Sequence, residues 1–105
     1  MPTFEDREKE FEARFKHDQE LRFKVTARRN RLLGLWAAEK MALTGAAAEA
    51  YAKSVVAAEF DGGDKHVVEK VVADLAAKSH AVTAAQVQFE LDHFAETAMQ
   101  QFMSE

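Results

Sequence analysis

An all-α fold is predicted by three features of the chain. One Pro and four Gly among 105 residues leave little turn chemistry, so elements are few and connections short. Ala is used heavily. Apolar residues recur at spacings of three, four and seven, the period of one helical face. The expected architecture is an antiparallel four-helix bundle over residues 20–105, preceded by a mobile, helix-prone arm over residues 1–19. This length suits one domain with one modest core.

The arm comes first. Thr3 is a suitable N-cap, and Glu5 and Asp6 follow in the first turn, where the helix dipole favours acids. Glu5–Lys9, Glu10–Arg14, Glu12–Lys16 and Glu20–Lys24 each place an acid four residues before a base, the favourable orientation. Phe4, Phe11 and Phe15 share one face but form too thin a stripe to hold about 18 residues on a core, and a short helix alone in water is marginal. The arm is therefore expected to fray when free and to become helical when something accepts its rings. A continuous helix from Thr3 to Leu43 would be about 60 Å long, whereas its partners reach about 30 Å. The outer half would then lie beyond the bundle.

The first bundle helix carries Leu21, Val25, Leu32, Trp36 and Leu43, with Leu33, Leu35 and Met41 widening the stripe. Phe15–Glu39 reads as one long helix, because no Pro interrupts it and Gly34 costs a helix only about 1 kcal/mol relative to Ala. Thr44-Gly45 supplies a stop. Ala48, Tyr51, Ala52, Val55 and Val56 mark a second helix that ends at Phe60. Asp61-Gly62-Gly63-Asp64 reads as a turn. A third helix carries Val67, Val68, Val71, Val72 and Leu75, with Lys78 and His80 near its end. The fourth opens on a Thr83/Gln86 capping box, with Val82 and Val87 as its staple. Its stripe is Val87, Leu91, Phe94, Ala98 and Phe102.

Several chemistries are excluded. Without Cys there is no disulfide framework, thiolate zinc site or cysteine nucleophile. His17, His66, His80 and His93 have no metal-ligand spacing. Asp61–Asp64 lacks the oxygen pattern of a calcium loop. No phosphate-binding glycine loop or nucleophile elbow is present, so the chain is expected not to be an enzyme. The N-terminal stretch MPTFEDREKEFE is neither a secretory signal nor a typical transit peptide. No run reaches the roughly 18 apolar residues of a membrane span, so no membrane insertion is expected.

The net charge of −4 is uneven. Residues 1–19 carry −2, residues 20–31 carry +4 and residues 32–105 carry −6. Arg22, Lys24, Arg28, Arg29 and Arg31 form this basic belt, the one cluster able to hold phosphate and hence a candidate site for weak ATP or ADP binding. The competing reading is intramolecular, with the belt facing Asp74, Glu90, Asp92 or Glu96. Nucleic acid is disfavoured because the chain is acidic and Phe23 stands alone as an aromatic platform. No cofactor is required. His17 beside Asp18, where arm meets bundle, is the position for a pH-sensitive contact.

FKHDQELRFK, ARRNRLLGLWAAE, the AYA of residues 50–52 and the V-x-K-V-x-A-D-L of residues 68–75 resemble the zeta-subunit family of alpha-proteobacterial F-type ATP synthase inhibitors. The resemblance covers nearly the whole chain and is strongest from Phe15 to Glu39. It implies a four-helix bundle whose mobile N-terminal segment becomes helical on entering a catalytic interface of the synthase head, blocking rotation and ATP hydrolysis. The implied partners are the alpha, beta and gamma subunits of that head. The implied location is cytoplasmic, peripheral to the inner membrane through the synthase, and the free chain is expected to be monomeric. Carried over by position, the inhibitory segment is Pro2 to about Gln19. Phe4, Phe11 and Phe15 are its anchors, and Glu8, Arg14 and His17 are the polar candidates beside them. The family has also been associated with weak nucleotide binding.

Overall fold

The computed structural model describes residues 3–105; Met1 and Pro2, which begin the expected arm, lie outside the described residues. The helices are α1 (Phe4–His17), α2 (Gln19–Lys40), α3 (Gly45–Ala77) and α4 (Ala84–Met103). No strand occurs among the described residues. The fold is all-α, and the bundle is formed by α2, the two halves of a kinked α3, and α4.

The kink is the expected turn at residues 61–64. Gly62 and Gly63 leave helical geometry inside α3, so the expected second and third helices are its two halves. Gly63 has φ +73°, a region that side chains other than Gly rarely adopt. The Thr83/Gln86 capping box is present, with the Gln86 amide donating to Thr83 Oγ1 at 3.1 Å and the Thr83 amide to Gln86 Oε1 at 2.8 Å.

One central core joins Leu33 and Ala37 of α2 to Val55, Val67, Val71 and Leu75 of α3 and to Val87 and Leu91 of α4. Trp36 is only half-buried at its rim, with the Lys40 ammonium 5.0 Å from its ring centroid. The inward stripe of α2 is thus rotated from the expected one: Leu33, Gly34, Ala37 and Ala38 are buried, while Leu32 and Leu43 are partly exposed. Small residues here let α2 and α3 approach closely. A Cβ at Gly34 would lie 2.7 Å from Ala52 Cα, closer than packed carbon atoms come. Gly34 is therefore a packing requirement between two helices.

The end of α2 also differs from expectation. The chain turns at Ala42, a non-Gly residue with φ +59°, and the Leu43 amide donates back to Ala38 O at 2.9 Å. This is a helix-ending bond of the kind usually accompanied by Gly. Thr44 caps α3, without a side-chain bond, only after that turn.

Candidate functional site

The expected continuous helix through Phe15–Glu39 is broken. Asp18 is extended (φ −107°, ψ 102°) and belongs to both neighbours. Its amide donates to Arg14 O at 2.8 Å, closing α1. Its Oδ1 accepts from the Leu21 amide at 3.0 Å, opening α2. One aspartate therefore satisfies backbone groups of two helix ends, and local hydrogen bonding prevails over unbroken helix propensity.

At the other end of α1, Thr3 and Asp6 form a reciprocal capping box, with both bonds at 3.1 Å. The arm is thus capped at both termini. Of the four charge pairs anticipated near it, only Glu20–Lys24, on α2, is an ion pair among the described residues, at 3.3 Å.

The break changes where the arm lies. Rather than projecting beyond the bundle, α1 folds against the end formed by α2 and α4. Phe11 is only 6% exposed and packs with Leu21, Val25 and Ala98. Phe15 is half-buried with Met99, Phe102 and Met103 around the same cluster. Phe4 is 56% exposed, and Glu8, Arg14 and His17 face solvent. The three expected anchors are therefore unequal: one buried, one half-buried, one free. The end cluster is separate from the central core.

The basic belt is spread out rather than convergent. Arg29 donates two bonds to Asp64, at 2.8 and 3.2 Å, and one to Glu59. Arg28 reaches Gln101 at 2.8 Å and Glu105 at 3.4 Å, with its guanidinium carbon 4.6 Å from the Phe102 ring centroid. Arg31 pairs with Glu49 at 2.9 Å, and Lys24 with Glu20. Arg22 makes no ion pair among the described residues. The belt does meet acids of its own chain, but apart from Glu20 these are not the expected ones: none of Asp74, Glu90, Asp92 and Glu96 pairs with it among the described residues. Asp74 instead takes the Tyr51 hydroxyl and the Lys70 ammonium, each at 2.9 Å.

Asn30, at 0% exposure, is the buried polar residue that composition did not single out. It accepts from Arg29 Nε at 2.9 Å and donates to Glu59 Oε1 at 3.0 Å. Together with Asp64, these residues tie α2 across the Gly62–Gly63 kink. The Arg29 hydrogen bond, reinforced by its charge, holds the Asp64 carboxyl below its ordinary value of 3.8, against opposing desolvation. The Arg-Asn pair at residues 29–30 was the available sequence signal, but nothing local identified its partners some 30 residues away.

No group of acids and histidines capable of holding a metal occurs among the described residues. None of the helices described is long and apolar enough to cross a membrane.

α1 is thus an amphipathic helix, capped at both ends and seated against α2 and α4. The family model for ATPase inhibitor subunit zeta matches residues 1–101. The chain belongs to this family. Comparison with curated proteins gave no match. Membership supports inhibition of ATP synthase, and therefore interaction with it, and is consistent with a role other than catalysis.

Proposed function

We propose that α1 is the inhibitory element of this zeta-family subunit. It leaves the bundle end, pivots at Asp18 and enters a catalytic interface between the alpha and beta subunits of the ATP synthase head, facing gamma. There it blocks rotation in the hydrolytic direction. The observation that carries this reading is the seating of α1: a doubly capped helix attached to its bundle chiefly through one buried ring, Phe11.

Release exposes Phe11 and Phe15, and a partner groove that accepts them with Phe4 recovers the loss. Each fully buried ring contributes roughly 1.5–3 kcal/mol. In the bound state Phe4 adds a ring that is mostly exposed in the free chain, which favours insertion. Glu8, Arg14 and His17, already exposed, set register and orientation against charged groups of the head. The bundle is monomeric when free, remains outside the interface as a stop, and stays at the cytoplasmic face of the inner membrane through the synthase.

Weak ATP or ADP binding at the belt is the lesser reading, because its cations are spread over separate partners rather than aimed at one point, and Arg29, the most buried of them, is held by Glu59 and Asp64. Hydrolysis by purified head complex tests the arm directly. The intact chain inhibits, whereas a chain lacking residues 2–17 keeps its helical bundle and loses inhibition. Equal inhibition by both would rule the arm out.

A further inference from the structure

We propose that the exposed Phe23–Phe60 face of the bundle is a second docking surface for the synthase head, taking an acidic segment with an apolar face. The inference rests on the arm reading above and adds a contact from outside the arm. Phe23 of α2 is 55% exposed and Phe60 of α3 is 71% exposed, yet their ring centroids are 5.8 Å apart. The two rings therefore make one apolar patch. Ala27 and Val56 continue it as the floor of a shallow cleft between the helices. An apolar surface of this kind, gathered from two elements, is the usual core of an interaction site.

The margin supplies the charge of the partner. Phe23, Ala27 and Val56 also line an adjoining groove with Lys24, Arg28 and Arg31. The acids now paired with these cations are themselves open to solvent: the side chains of Glu20, Glu105 and Glu49 are 79%, 58% and 51% exposed. Solvent-exposed pairs stabilise little and can be exchanged for a partner's carboxylates. On the other side, Glu59 is held by Arg29 and Asn30, so it is neutralised rather than left to repel an acid. The segment from residue 32 onward carries −6, which makes the basic margin a local contrast able to orient an acidic partner.

Position joins this face to the arm. Phe23 lies five residues beyond Asp18, about 7.5 Å along α2 at helical rise. A head complex that holds α1 is therefore tethered beside the patch, and under such tethering a weak contact adds to a strong one.

Two variants of the full chain and the chain lacking residues 2–17, assayed with purified head complex, test the surface. Phe23→Ala/Phe60→Ala is expected to raise the half-inhibitory concentration at least tenfold while leaving thermal unfolding unchanged. Lys24→Glu/Arg31→Glu is expected to raise it severalfold, by a factor that shrinks at high salt. Wild-type potency in the phenylalanine pair, with the arm intact, would overturn the surface and leave the arm reading standing. Full inhibition by the chain lacking residues 2–17 would instead overturn the arm reading and this surface with it. Sedimentation of the wild type and the phenylalanine pair covers the remaining occupant. A wild-type dimer that the substitutions disperse, with inhibition unchanged, would assign the face to a second copy and overturn the proposal.

Discussion

Replacing Phe11 by Ala isolates the contact that keeps the arm on the bundle. Phe11 is 6% exposed, and its neighbours Leu21, Val25 and Ala98 belong to the end cluster rather than the central core. Full burial of a Phe side chain contributes about 1.5–3 kcal/mol. Removing it should therefore raise the population of released α1 by about ten- to a hundredfold, at roughly 1.4 kcal/mol per factor of ten. Amide hydrogen exchange reads this directly, because local opening and global unfolding are distinguished residue by residue. Protection in α1 should fall by that factor, whereas amides near Leu33, Leu75 and Leu91 should keep theirs. Unchanged protection in α1 would show that Phe11 does not hold the arm. Equal loss throughout α2–α4 would show that the two clusters are not independent. Exchange is the informative readout, since Phe11 is also a proposed anchor and its loss would weaken inhibition by a second route.

Two further outcomes concern the tie across the kink. Asn30→Ala leaves Arg29 Nε without its acceptor and removes a donor from Glu59, a loss of about 1–3 kcal/mol in urea unfolding; unchanged stability would mean that the network is dispensable. Asp64 has a carboxyl lowered by Arg29, so the stability it contributes is complete above the ordinary value of 3.8 and disappears as pH falls through the folded-state value. Asp64→Asn should therefore flatten the acid side of the stability profile below about pH 4, and an identical acid slope would contradict the bond.

Much of this fold was legible because its signals are local. The N-cap at Thr3 and the capping box of Thr83 and Gln86 lie within four residues, and both form; the reciprocal Asp6 bond at Thr3 goes beyond the expected cap. The kink at Gly62–Gly63 was visible as two adjacent glycines between aspartates. The break at Asp18 was also signalled, since an Asp followed by Glu20 and Leu21 is a helix start, but the surrounding residues all favour helix. The stop at Ala42 left no signal, because it uses a residue that ordinarily avoids that conformation. Leu33 displaced Leu32 and Leu43 from the core because Gly34, Ala37 and Ala38 let α3 approach on that side. At the candidate site, the three phenylalanines were recognisable by spacing, but their unequal burial follows from the bend. The Phe23–Phe60 pair and the Arg29–Glu59–Asp64 tie are long-range contacts, and no window of neighbouring residues contains them.

The necessity of releasing α1 can be tested by locking it. Glu8 and Gln100 line the same groove between α1 and α4, and the chain contains no Cys of its own. Glu8→Cys/Gln100→Cys, joined by a short reducible cross-linker, holds the arm against the bundle. The locked chain should leave ATP hydrolysis by the head complex running, and reduction should restore inhibition to that of the uncross-linked variant. Inhibition by the locked chain equal to that of the reduced one would contradict insertion of α1.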